Sequence, residues 1–176
     1  MPNHTKKKNS TEPFLNWKIG GEAGFGIKVT GEMFSRMFVR AGYHTYEYSE
    51  YPSLIRGGHN TFQVAVGVAP VRAPVRALDI LICLDQQTWR DHAAELRDGA
   101  AVLYDSTYVK INARDAIKRK LRLYPAPLED VARQHGNPVM RNTVALGMTV
   151  ALMGLDEKLL RSVLTTAFGK KDPAIV

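Results

Sequence analysis

Phe14-Leu15-Asn16-Trp17-Lys18-Ile19 runs without a break into Gly20-Gly21-Glu22-Ala23-Gly24-Phe25-Gly26, and then into Ile27-Lys28-Val29. An apolar, aromatic segment followed by glycines and then a new period reads as strand, loop and helix. The helix shows itself as one stripe of Ile27, Phe34, Phe38 and Ala41, with Met33 and Met37 beside it. Gly42 stands where a helix ends. A glycine loop at a helix start is a natural anion cradle, because unpaired N–H groups and the helix dipole both favour negative charge there. Glycines also let a ligand approach the backbone closely and tolerate positive φ.

Two familiar templates do not fit this loop. The phosphate loop of NTPases carries Lys-Ser or Lys-Thr directly after its last glycine, where this chain has Ile27-Lys28-Val29. The dinucleotide fingerprint G-x-G-x-x-G begins at Gly24 and Gly26 but meets Val29 in its third glycine position. The plain structural reading is a tight strand-to-helix turn. The functional reading is a site for a phosphate-bearing ligand or a partner chain.

Outward from the loop, 44–49 and 61–68 read as strands, and the apolar run 78–84 as a central strand covered on both faces. Residues 86–97 read as a helix broken by Gly99, 100–104 as a strand and 110–120 as a basic helical turn. A short strand follows at 121–126 and a helix at 128–135. The helix at 142–153 is apolar all round, with Asn142 as its expected N-cap, and a last helix spans 156–168. This order predicts an α/β fold: a three-layer α/β/α domain with a largely parallel, Rossmann-like central sheet. The domain is expected over 14–170, after a flexible lead-in at 1–13 and before the start of a linker at 171–176.

Composition agrees with one globular domain: 176 residues, 45% hydrophobic and 23% charged. A single cysteine excludes a disulfide scaffold, and also an iron–sulfur cluster or thiolate zinc site built from this chain alone. No apolar run approaches the ~20 residues of a membrane span, and 1–13 has no apolar core of a secretory signal. A reducing, cytoplasmic setting without a membrane partner is expected. The net charge of +7 includes a cluster of Lys110, Arg114, Lys118, Arg119, Lys120 and Arg122. It lacks interleaved aromatics and any nucleic-acid motif, so it reads as a solvated helix face, with no nucleic-acid partner. His4, His44, His59, His92 and His135 have no metal-ligand spacing, and Cys83 reads as inert core. No catalytic residue and no metal ligand is assigned.

The segment Tyr51-Pro52-Ser53-Leu54-Ile55-Arg56-Gly57-Gly58-His59-Asn60 is polar, constrained and rich in donors. Arg56 and Lys28 suit a phosphate or a carboxylate, although an exposed arginine also serves as an ordinary surface ion pair.

Taken with Trp17 to Lys28, the run from Glu47 to Asn60 resembles the gamma subunit or gamma domain of 2-oxoacid:ferredoxin oxidoreductases. The segments 77–85 and 136–147 are similar too, in the same order, so the resemblance covers roughly 14–176. The Tyr-Pro-Ser-Leu-Ile-Arg-Gly-Gly-His form looks most like the 2-oxoglutarate-type branch, whose gamma domain is fused ahead of the alpha chain. The resemblance implies a component of an enzyme that oxidatively decarboxylates a 2-oxoacid to an acyl-CoA. It implies alpha and beta partner subunits carrying thiamine diphosphate, magnesium and iron–sulfur clusters, with ferredoxin reduced through the complex. The gamma component is then expected to supply interfaces and part of the coenzyme A site. Gly21, Gly24, Phe25, Gly26, Lys28, Ser53, Arg56, Gly57 and Gly58 are the candidate cofactor-binding residues on that basis. A reading of another class is a stand-alone nucleotide- or phosphate-binding or regulatory module without catalysis. The segment 51–60 favours the oxidoreductase, since a simple nucleotide binder does not need it.

Overall fold

The computed structural model describes residues 14–51, 58–75 and 77–168. The lead-in 1–13, the linker start 171–176 and the loop residues 52–57, with Ser53, Arg56 and Gly57, lie outside the described residues. Strand β1 (Leu15–Glu22) is buried until its last residue and leads into α1 (Ile27–Arg40). Then come β2 (His44–Glu50), β3 (His59–Gly67), β4 (Leu78–Cys83) and α2 (Gln86–His92). The chain continues through β5 (Leu96–Asp105), α3 (Ala113–Lys118), β6 (Arg122–Ala126) and α4 (Leu128–Gln134). It closes with α5 (Arg141–Met153) and α6 (Glu157–Phe168).

The strands form one sheet in the order β2-β3-β1-β4-β5-β6. β1, β4, β5 and β6 pair in parallel. β3 runs antiparallel between β1 and β2, so it alone opposes the common direction. The α/β class and the mostly parallel sheet therefore stand. The alternation along β1 explains the layers. Trp17 and Ile19 enter the larger apolar cluster with Phe34 and Phe38 of α1, Leu146 and Val150 of α5, and Val163 of α6. Trp17 stacks on Phe34 with ring centroids 4.3 Å apart, and both side chains are fully buried. Lys18 points to the opposite face, where its ammonium meets α2 and the turn after it. A smaller cluster on Leu81, Cys83 and Val102 is covered there by Trp89.

Two local expectations need correction. The helix expected over 86–97 stops at His92, passes through a 3₁₀ turn, and becomes β5 at Leu96. The Arg119 guanidinium seals this turn by donating to the carbonyls of Ala93 and Leu96. Gly99, at φ +78, then lies inside β5 near a shift of register against β4. The same contacts show that Arg119 is structural and not part of a solvated face. Nor is Asn142 an N-cap: α5 already begins at Arg141, and the Asn142 amide donates across the fold to Thr30 Oγ1 (2.8 Å) and the Gly26 carbonyl (3.2 Å).

The order of the strands fixes where a ligand can sit. From β1 the chain moves through α1 to β2 and β3 on one side, and later crosses to β4 on the other. At such a switch point the loops after neighbouring parallel strands diverge and leave a crevice at their carboxyl ends. The glycine loop after β1 and Asp85 after β4 border that crevice.

Candidate functional site

The loop expected to open at Gly20 begins only after Glu22, because Gly20 and Gly21 pair with β3 as part of β1, and the glycines along this stretch do different jobs. A Cβ on Gly21 would press on Leu84 Cβ at 3.1 Å and Ile27 Cδ1 at 3.2 Å, so Gly21 serves close packing. Gly24 has φ +96 and faces open space, with nothing within 4 Å of where its Cβ would be. Gly26, at φ +71, is the residue that opens α1, and a Cβ there would lie 2.7 Å from Asn142 Nδ2. No side chain caps α1 and no acidic residue lies in its first turn. Lys28 does lie in that turn, 63% exposed and 3.9 Å from Glu32. The start of α1 thus keeps its field of positive charge available.

Phe25 carries a contact that spacing could not reveal. The Arg141 guanidinium lies 3.8 Å over its ring, 5% exposed, and also faces the Tyr108 ring at 5.5 Å. Glu129 balances it at 3.3 Å and also accepts from the Tyr108 hydroxyl at 2.7 Å. The Nε of Arg141 is buried without a hydrogen-bond partner. The first turn of α5 therefore grips the glycine loop through Arg141 on Phe25 and Asn142 on Gly26.

Gly58, at φ +109, closes the second loop, and its carbonyl accepts from Ala23 N–H at 2.9 Å. This bond ties the two sequence motifs together. Between them opens a cleft of about 380 Å³ lined by Glu22, Gly58, Asp85, Gln86, Gln87 and Arg90. Gly24, Phe25, Gly26 and Lys28 share one loop and helix start, Gly21 lies just before them inside β1, and Gly58 is stitched to the loop; Ser53, Arg56 and Gly57 lie outside the described residues.

Beneath the cleft runs a polar network that sequence reading missed. Lys18 is 2% exposed and pairs with Glu95 at 2.7 Å. Glu95 also meets His92 Nδ1 at 2.7 Å. A carboxylate can only accept, so Nδ1 carries the proton, and the Lys18 ammonium 3.3 Å from that nitrogen is a neighbour and not a donor to it. The His92 ring stacks on His59 with centroids 5.5 Å apart. The signal for the network was Lys18 itself, a charge in the middle of a buried strand, but its partner Glu95 and its neighbour His92 lie more than seventy residues away.

Burial works against the charge on Asp85, yet the facing His59 ring and bonds from Thr88 outweigh it and hold this carboxyl below its ordinary range. Burial likewise opposes the charge on Glu95, and bonds from His92 and Lys18 outweigh it in the same direction. Both groups are more acidic folded than unfolded. Their pairing supports the fold above the unfolded carboxylate value and is lost as pH falls toward the folded one. Thermal melts should therefore be flat near neutrality and fall below about pH 4.5. Glu95→Gln should reduce that acid loss, and an unchanged acid limb would contradict the assignment.

A mostly parallel sheet with a glycine-rich crevice at its switch point defines a Rossmann-like α/β domain. The chain belongs to the pyruvate ferredoxin/flavodoxin oxidoreductase family, whose sequence profile matches residues 16–176. It is 31% identical over 166 residues to ketoisovalerate oxidoreductase subunit VorA of Methanothermobacter thermautotrophicus, covering 93% of this chain and 34% of that one. The chain thus spans about a third of the length of that relative. Among solved structures, the 2-oxoglutarate:ferredoxin oxidoreductase of Magnetococcus marinus superposes with a TM-score of 0.82 at 26% identity, over 92% of this chain and 28% of that one. That structure holds 2-oxoglutarate, coenzyme A and succinyl-CoA. The gamma subunit of a keto/oxoacid ferredoxin oxidoreductase from Geobacter sulfurreducens shares the fold, with a TM-score of 0.75 at 22% identity, over 86% and 83% of the two chains. The resemblance to the oxidoreductase family is therefore sustained, the fold is that of a gamma subunit, and the matches favour an oxidoreductase component over a free-standing binding module. Among the described residues no helix is long and apolar enough to cross a membrane.

Proposed function

We propose that this chain is the gamma component of a cytoplasmic 2-oxoacid:ferredoxin oxidoreductase, supplying subunit interfaces and part of the coenzyme A site. The observation that carries the reading is the start of α1: a left-handed glycine, no side-chain cap, no acid in the first turn, and an exposed Lys28. Coenzyme A concentrates its charge on phosphates, and those are the groups such a helix start accepts. Glu22 and Asp85 make the cleft itself a poor phosphate site. The charged end of coenzyme A therefore belongs at Gly24, Phe25, Gly26 and Lys28, and its uncharged amide arm beside Gly58, Gln87 and Arg90. Ser53, Arg56 and Gly57 complete the proposed set from the second loop.

Thiamine diphosphate with magnesium supplies the carbanion chemistry and iron–sulfur clusters carry the electrons to ferredoxin, both from alpha and beta partner subunits. Cys83, the chain's single cysteine, is fully buried, and burial pushes its thiol well up. One thiol sealed in the core cannot hold a cluster by itself, so cluster ligation is assigned outside these residues. The work of this chain is to bind, orient and seal.

The test is co-expression of the tagged chain with alpha and beta chains, followed by mass spectrometry and kinetics. Recovery of a complex holding thiamine diphosphate and iron supports the reading. Within it, Lys28→Glu should raise the apparent KM for coenzyme A roughly tenfold by reversing a charge beside the phosphates. Recovery of a lone monomer indifferent to both chains would overturn it in favour of a stand-alone module.

A further inference from the structure

His59 opens β3 opposite Glu22, the last residue of β1. Its side chain is 8% exposed, and neither ring nitrogen has a hydrogen-bond partner. One nitrogen, Nδ1, faces Asp85 Oδ2 at 3.5 Å, longer than a hydrogen bond but close enough for the charge to act. The other Asp85 oxygen is already committed, accepting from Thr88 N–H at 2.7 Å and Thr88 Oγ1 at 2.8 Å at the start of α2. The ring lies where a Cβ on Gly20 would come within 3.0 Å of its Cε1, so Gly20 leaves the space it fills. The residue before it, Gly58, gives its carbonyl to Ala23 in the glycine loop.

We propose that Asp85 and His59 form a positioning pair that holds the Gly58 carbonyl against the glycine loop. The ionised Asp85 carboxylate has only lone pairs to offer, so it selects the ring form with the proton on Nδ1. That choice orients the ring between Gly20 and His92 and fixes the start of β3. The fixed strand start then presents the Gly58 carbonyl to Ala23 N–H. Glu22 lies opposite His59 across the two strands, and His92 of α2 stacks on the ring and leads on to Glu95, Lys18 and, through Lys18, Glu50. Lys18 lies 2.7 Å from Glu95 and 4.0 Å from Glu50, so those two carboxylates are engaged with its ammonium. Asp85 is left as the carboxylate whose free oxygen is directed at His59. The functional consequence of the pair rests on the coenzyme A reading above; the geometry does not.

The test uses the full chain labelled with nitrogen-15. Long-range proton–nitrogen correlation at neutral pH should show His59 protonated on Nδ1. A wild-type ring protonated only on Nε2 overturns the proposal without any variant. Asp85→Asn keeps an oxygen for Thr88, because asparagine caps a helix start as well as aspartate does. It turns an N–H₂ toward the ring, which must then accept on Nδ1 and move its proton to Nε2. Amide exchange at Ala23 should then speed up by about tenfold as the Gly58 bond opens more often. Thr88→Val, which removes one bond to Asp85 but not the facing oxygen, should leave the proton on Nδ1. Unchanged tautomer and unchanged Ala23 exchange in Asp85→Asn would sink the pair. In the assembled enzyme the same variant should raise the KM for coenzyme A more than it lowers kcat. A changed tautomer with an unmoved KM counts against the coenzyme A reading and leaves the pair standing.

Discussion

Trp17→Ala will lower the stability of the chain by about 3–5 kcal/mol, the usual range for removing a buried aromatic side chain. Trp17 is fully buried on the central strand β1 and stacked on Phe34 at 4.3 Å with planes 14° apart. Its loss opens a cavity between the sheet and α1, next to Phe38, Val64 and Val66 of the same cluster. A rigid sheet on one side and a helix packed by α5 and α6 on the other leave little room for collapse. The indole Nε1 is buried without a partner, so Trp17→Phe removes an unsatisfied donor along with some volume. That variant should cost clearly less, about 1–2 kcal/mol. Urea unfolding of both variants checks the difference. Equal losses would show that the ring stack contributes nothing beyond a methyl group.

Gly26→Val will destabilise the chain and disable the glycine loop together. A β-branched residue at φ +71 costs on the order of 1–2 kcal/mol in the left-handed region. The new Cβ would also lie 2.7 Å from Asn142 Nδ2 and displace an amide that bonds Gly26 and Thr30. With that bridge lost, roughly 3 kcal/mol in all is expected. Gly24→Ala gives the contrast. Gly24 also has positive φ, but its Cβ would meet nothing, so only about 1 kcal/mol should be lost. A stable Gly24→Ala chain with a raised KM for coenzyme A would mark the exposed face of the loop as the ligand side. Melting curves of the two variants that coincide would show that the grip of α5 on the loop has no energetic weight.

The elements of this fold were legible because their periods are clean. The stripe from Ile27 to Phe38 reads as a helix, and the short apolar run 78–84 fits a covered strand. What escaped was decided by residues far apart in sequence. The turn that follows the end of α2 at His92 is held by Arg119, which donates to the carbonyls of Ala93 and Leu96 from more than twenty residues away. The place of β3 between β1 and β2, reversed, depends on pairings that no single segment carries. At the site, the glycine loop and the second motif were legible as motifs, and their union through Ala23 and Gly58 was not. Asn142 looked like a cap because asparagine before an apolar helix usually is one. Its real partners, Gly26 and Thr30, lie more than a hundred residues back. Arg141 and Lys18 were visible only as charges in apolar company, a signal that marks a residue without naming its partner.

The two edges of the sheet bear on how this chain can be built into something larger. β2 ends the sheet on one side, and its seven residues include His44, Glu47 and Glu50. β6 ends it on the other, is only five residues long, and contains Arg122 and Pro125. Charge, brevity and proline are the features that keep a bare strand from accepting another. Neighbouring polypeptides are thereby discouraged from lengthening the sheet and directed to the helices and the loop rim. Such edges work against edge-to-edge pairing between copies of the chain.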